Sequence, residues 1–466
     1  MEPTPRRVSP LHPTTPRGAP HSRRRILGAG AGAAGAVPLG AFLAACGTGG
    51  AGSQERGATL QLTKGPLTVT AFIGGAQLDR FPDEIGKPYQ QLHPNVTIEA
   101  VPQSGSTQAV IEKLTGMVAG GSPPDIFEAP RYPDFMVEKG FIDDTMDALI
   151  KRDKYKTDSY NPKEFNSRAQ YQGKTVQLPW KLGGNSLVIL CNTELFQKSG
   201  VPLPSTELSQ AWTWDDWVQA AVKLTKRGAS EVSQYGHNGL AWTIGSWPLL
   251  WQADWISSDL KQVTCDTPEM TDCYTRLQDL HYKHRVVPLP GEATQYFGNV
   301  NLFLTGRTAM QIVSVGGWST YINATPQVPM MAAPVPKVKI STPDVNSHAM
   351  SIIRGSKSPA DAWEVIKYMI DEARLPRLTE RMPARLDHLE PFVKDTITAT
   401  PQVSSRLVLE VARNFVPQTN LGRHPNQDAM YDVINPQLTE LWNNTVAPAT
   451  MLKGLRPQLE ALMGRQ

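Results

Sequence analysis

The chain is short of several things, and each shortage closes off a class of function. No P-loop, no G-x-S-x-G turn and no H-E-x-x-H pair occurs in its 466 residues, so phosphate-cradling, acyl-transfer and zinc-hydrolase chemistry lack their residue patterns. Cysteine numbers four (Cys46, Cys191, Cys265, Cys273), too few for a disulfide scaffold, and neither these nor the nine scattered histidines fall at zinc-ligand spacing. No metal or cofactor is therefore expected. A large excess of one charge is missing too. Six of the 46 basic residues and one of the 43 acids fall in the first 45 positions, which leaves 40 against 42 in the remainder. Such a near-neutral body has no electrostatic footprint for nucleic acid. Finally, there is no long Leu-rich run. The one extended apolar stretch, Ile26 to Ala45, is mostly Ala and Gly and contains Pro38, which makes it a poor membrane span.

What is present begins with an export pattern. An Arg- and Pro-rich segment precedes the mild apolar stretch, and Cys46 follows it, the order of a secretory signal. Ser22-Arg23-Arg24-Arg25-Ile26-Leu27 resembles a twin-arginine motif, and Leu43-Ala44-Ala45-Cys46 resembles a bacterial lipobox. Residues 1–45 are read as the signal, Cys46 as the lipid-attachment site, and the Gly-rich stretch 46–65 as a flexible tether. The spacing of Cys265 and Cys273 allows a bridge without establishing one, with Cys191 left as a buried apolar residue.

Beyond the tether, 466 residues exceed what one core usually organises, and two lobes are expected. Strand patterns at Leu67 to Phe72, Val96 to Val101 and Asp125 to Phe127 alternate with helical spacing, as in Val110, Ile111, Leu114 and Val118. This alternation predicts α/β architecture. Thr213 and Ser358 are read as helix N-caps, and the apolar run Leu187 to Cys191 as a buried strand.

The motifs SPPDIF, LVILCNTELFQKSGVP, WTWDDWVQAAVKLTK, FLTGRTAMQIVSVGGW and GSKSPADAWEVIKYM, in this order, resemble the extracellular solute-binding proteins of carbohydrate ABC importers, the family of maltose-binding protein. Cys191 departs from it, standing where the family often has an aromatic residue. The resemblance implies a two-lobed periplasmic-binding-protein fold (type II), each lobe a mostly parallel sheet flanked by helices, joined by hinge strands. It places the first lobe at 66–186 plus 349–381 and the second at 187–348 plus 382–466, with hinges near Gly183-Gly184-Asn185, Ala349 and Pro383. It further implies a monomer, not an enzyme, that hands a small molecule to ABC permease subunits and meets the membrane only through its lipid anchor.

A sugar site combines aromatic platforms with hydrogen-bonding side chains. Trp180 precedes the expected hinge, Trp318 follows Gly316-Gly317 at a strand end, and Trp242 and Trp247 lie in a Trp-rich segment broken by Gly245 and Pro248. Gly75, Gln77, Ser104, Glu128 and Arg131 follow the first three strands, where open α/β sheets bind ligands. Arg385 sits where the resemblance puts a cleft-facing basic residue. For every one of these the plainer role is core packing, solvation or a surface ion pair. Two other ligand classes fit the same fold: a polyamine under Glu128 and Asp254, or a glycerol-phosphate type met by Arg131, Lys181 and Arg385. A sensor or adhesin on this fold is the reading outside transport.

Overall fold

β-Branched and aromatic residues recur along Leu67–Ile73, and this stretch forms the first strand, β1, with its Ala71, Phe72 and Ile73 buried. The others, in chain order, are β2 (Val96–Pro102), β3 (Ile126–Ala129), β4 (Gln170–Tyr171), β5 (Lys174–Thr175), β6 (Leu178–Lys181) and β7 (Leu187–Asn192). There follow β8 (Lys226–Arg227), β9 (Val232–Asn238), β10 (Thr308–Ser314), β11 (Met330–Pro334), β12 (Asp344–Val345), β13 (His348–Ile352) and β14 (Val416–Pro417). The structure is a computed structural model. It describes residues 60–75, 78–182, 187–228, 232–238, 244–292, 301–314, 321, 324, 327–341, 344–345, 347–379, 381–397, 405–414, 416–417 and 419–464. The export signal, Cys46, most of the tether, Gln77, Gly183-Gly184-Asn185, Trp242 and Trp318 lie outside the described residues.

Two five-stranded sheets organise the described chain, one ordered β2-β1-β3-β13-β6 and the other β11-β7-β10-β9-β8. The fold is bilobed α/β. The sheets, however, are mixed, which corrects the expectation of mostly parallel ones. β1 runs parallel to β2 and β3, and β9 parallel to β10, but β13 is antiparallel to both β3 and β6, and β7 to both β10 and β11. The reason is the route of the chain. It leaves the first sheet through β6 and returns through β13, so these neighbours must point in opposite directions. A third passage lies against β6: Leu182 N–H donates to Met382 C=O at 2.8 Å and Ala384 N–H to Trp180 C=O at 3.1 Å.

Helices cover both faces of the first sheet. Thr107–Ala119 starts at Ser106, whose hydroxyl accepts from Ala109 N–H at 3.2 Å, and buries Val110 and Leu114 against Phe72 and Phe127. Trp214–Leu224 opens with a reciprocal capping box between Thr213 and Asp216. Ser358 stands at the N-cap of Pro359–Ile370 without capping it; its hydroxyl donates instead to Asp125 Oδ1 at 3.2 Å, beside Ser356 at 2.6 Å.

The described part of the Trp-rich segment is interior. Trp247, Trp251 and Trp255 are each at most 2% exposed and join Trp214 and Trp217 in the second lobe's core. Trp251 donates from Nε1 to Asp272 at 2.6 Å, and Trp255 to Ile244 C=O at 2.7 Å. Trp247 packs on Trp214 and Trp217, with centroids 5.8 and 6.0 Å apart, the core role named beside its ligand reading. Cys191, Cys265 and Cys273 are free and buried. The Cys265–Cys273 bridge does not form: Cys265 Sγ faces Leu452 C=O at 3.5 Å, and Cys273 lies on the inner face of Pro268–Tyr282. Among the described residues no helix is long and apolar enough to cross a membrane.

Candidate functional site

The ends of β1, β3 and β6 and the start of β13 converge on one carboxylate. Glu128, on β3 and fully buried, accepts from Gly74 N–H at 2.7 Å through Oε2. Its Oε1 accepts from Lys181 Nζ and from His348 Nδ1, each at 2.6 Å. An ionised carboxylate only accepts, so the His348 proton on Nδ1 is the donor. The Gln103 amide spans the same strands, donating to Phe72 C=O at 2.9 Å and Glu128 C=O at 2.8 Å. Four strands, two of them distant in sequence, are thus tied at their facing ends.

Charge in this cluster is settled by its neighbours. Burial pushes the Glu128 carboxyl up, but the Lys181 ammonium and the His348 hydrogen bond outweigh it and hold the group down at about 2. Burial, with the nearby Lys181 charge, lowers His348 to about 4 despite its bond to Glu128. At neutral pH the cluster therefore holds one carboxylate and one neutral imidazole, while burial lowers Lys181 against the pull of Glu128. A carboxyl fixed so low is no general acid, and one wedged between two donors is a poor base.

The surrounding groups are donors. Arg168, fully buried, gives Nη2 to Ala129 C=O at 2.7 Å and stacks over Tyr132 at 4.6 Å, while its Nε and Nη1 have no partner among the described residues. Trp180 is fully buried under the Lys181 ammonium, 4.5 Å from its ring, and its Nε1 is likewise unpartnered. Gly75 has φ +151°, and a Cβ there would lie 2.5 Å from Thr379 Cγ2, so both conformation and space call for glycine.

The structure thus brings Gly75, Glu128 and Trp180 to the ends of the first sheet. Ser104 is exposed on the loop after β2. Arg131 is committed to an ion pair with Asp428. Arg385 is held by carboxylates: Asp371 accepts from its Nη1 at 2.8 Å and Asp387 from its Nη2 at 2.7 Å, with Tyr155 at 3.1 Å. The ion-pair role named beside its cleft reading is thus the one these contacts fill. His348, Arg168 and Gln103 were missed. Lys181, singled out for the glycerol-phosphate reading, is paired with Glu128 instead, whereas nothing local marks His348 or Arg168.

Two sheets linked by crossing strands, with a buried polar cluster at the strand ends of the first, define a two-lobed binding protein. The family model for bacterial extracellular solute-binding proteins matches residues 75–373, and the chain belongs to that family. A solute-binding family accords with the expectation that the chain performs no catalysis, and it fixes an extracytoplasmic setting. No curated protein matches the chain. Among solved structures, an ABC substrate-binding protein from Listeria monocytogenes in complex with cycloalternan is 19% identical, with a TM-score of 0.69 over 86% of this chain and 99% of its own. An ABC transporter solute-binding protein from Thermotoga lettingae bound with α-D-tagatose is 20% identical, with a TM-score of 0.65 over 85% and 100%. The cyclic α-maltosyl-1,6-maltose binding protein from Arthrobacter globiformis is 15% identical, with a TM-score of 0.66 over 86% and 100%.

Proposed function

We propose that this protein captures a carbohydrate between its lobes and delivers it to an ABC importer, with lobe closure as the signal to the permease. The observation that carries the reading is the donor-rich cluster around Glu128, Lys181, Trp180 and Gly75 at the sheet ends, a setting suited to an oxygen-rich ligand. The sugars bound by the similar proteins support it. Trp242, Trp318 and Gln77 are proposed to complete the site from the neighbouring loops, and the hinges are proposed near 183–185, Ala349 and Pro383.

A thermal-shift screen tests the ligand class, since a ligand that binds only the native state raises the melting midpoint. A saturable rise is expected with a mono- or oligosaccharide, reduced in Trp318→Ala. At about 100 times Kd the added stability is about 2.7 kcal/mol. A rise confined to polyamines or glycerol phosphates replaces the substrate class, and silence with every sugar sinks the reading.

Attachment through a diacylated Cys46 is the second part of the proposal, motivated by Leu43-Ala44-Ala45-Cys46. Two acyl chains anchor stably where one does not. Cys46→Ala is therefore expected to move the protein from the membrane to the soluble fraction on cell fractionation. Unchanged membrane association would refute the anchor.

A further inference from the structure

Beside the Glu128 cluster, the two lobes meet through a pair of ion pairs of opposite sense. Helix Pro133–Glu138 packs Phe135 and Met136 into a core on the first sheet, while helix Gln427–Trp442 packs Met430 and Ile434 into the core of the second. Arg131 and Asp134 flank the start of the former, and Arg423 and Asp428 the start of the latter. Arg131 Nη2 pairs with Asp428 Oδ1, and Arg423 Nη2 with Asp134 Oδ1 at 3.3 Å, its Nε lying 3.4 Å from Oδ2. Each lobe thus gives one cation and one anion, so only one alignment of the lobes satisfies both pairs, and a displaced alignment sets like charges together.

These side chains are held in readiness. Arg131 lies over the Phe135 ring at 5.4 Å, and Arg423 is fixed from its own lobe by Ser258 C=O at 2.9 Å. Three of the four are withdrawn for rim charges, 9% exposed for the Arg131 side chain, 15% for Asp134 and 25% for Arg423, while Asp428 is 42% exposed. Partly withdrawn from water, the pairs are stronger than exposed ones and still open to screening by salt. Gln427, 2% exposed at the same seam, keeps Nε2 without a partner among the described residues.

We infer that Arg131–Asp428 and Asp134–Arg423 form a closure clamp: they set the closed fraction of the two lobes, and through it the apparent affinity for ligand, without themselves being ligand contacts. A ligand that binds only the closed form has an apparent Kd equal to its intrinsic Kd divided by the closed fraction, so a clamp on the rim tunes affinity from outside the site. The inference rests on the two-lobed binding-protein reading and is independent of which solute is bound.

Hydrogen exchange on the full chain, without ligand, tests it. Asp134→Arg is expected to lower amide protection across Thr419–Asp428 in the opposite lobe by about fivefold to tenfold, and Arg423→Asp to do the same across Ala129–Glu138. The two reversals combined restore both segments to near the wild-type level. Loss confined to the mutated lobe, or a combined variant no better protected than the single ones, overturns the clamp. Wild-type protein gives a second reading that needs no variant to fold. Raising the salt from about 0.1 M to about 1 M shortens the screening length from about 10 Å to about 3 Å and is expected to lower protection of both segments together; protection indifferent to salt overturns the clamp equally.

Discussion

Glu128→Ala is expected to lower stability by about 3–5 kcal/mol, the range for removing one partner of a buried ion pair. Lys181, with 9% of its side chain exposed, would keep a charge with no carboxylate beside it, and Gly74 N–H would lose its acceptor. Glu128→Gln is expected to cost less, because its amide oxygen still accepts from Gly74. Pairing Glu128→Ala with Lys181→Met is expected to recover most of the loss, since an apolar pair avoids the desolvation that the charged pair suffers. Chemical denaturation of the four proteins measures this. A single Glu128→Ala effect within about 0.5 kcal/mol, the range of an ordinary surface change, would show that the cluster does not hold the strand ends together.

Acid is expected to weaken the fold well above the usual carboxylate range, through two histidines. Burial, and secondarily repulsion from His281, lowers His237 to about 3; burial and Lys181 lower His348 to about 4. A group whose folded pKa lies below its unfolded value gives stability that is present above the unfolded pKa, near 6.5, and is lost as pH falls through the folded one. Both histidines must charge in the unfolded chain while they stay neutral in the fold. Asp254 works in the opposite sense. Burial raises it to about 6 against the hydrogen bonds from Thr419 and from the backbone of Asn420, Trp255 and Ile256, so its share of stability grows as pH falls through 6. Its partly exposed edge discounts that share. Burial also lowers His281, His284, His388 and His424, and it raises Glu138; the histidines outweigh the two raised acids, and a net loss of about 3 kcal/mol is expected between about pH 7 and about pH 4. Denaturation midpoints across this window measure it, and His237→Gln is expected to flatten the profile. A profile that is level or rises on acidification rules the account out.

Much of the fold was legible because it depends on local pattern. Alternating residues marked β1, β2 and the apolar run of β7 to within a residue or so, and Thr213 with Asp216 announced the helix that they cap. Strand direction was less so. Nothing within Leu178–Lys181 or His348–Ile352 tells that one carries the chain out of a sheet and the other back, which is why the sheets are mixed. The tryptophans misled for a similar reason. Gly245 precedes a short helix, Ser246–Leu250, that contains Pro248, and Trp247, Trp251 and Trp255 are drawn inward by Trp214, Trp217 and Tyr274, partners that periodicity cannot see. In the site, Glu128 could be singled out from its place after a buried strand. His348, some 220 positions away, could not, and neither could the pairing of Arg385 with the carboxylates Asp371 and Asp387.

The three sealed thiols give the folded body an independence from its surroundings. Burial raises Cys191 and Cys273 well above the ordinary thiol range and Cys265 to about 12, with Asp266 adding to the last. At such values the reactive thiolate is all but absent, and oxidant and disulfide exchange find nothing to attack. No covalent cross-link among them is owed to an oxidising compartment. The body can reach its final packing in a reducing medium and carry it unchanged into an oxidising one, its redox history leaving no mark on its shape.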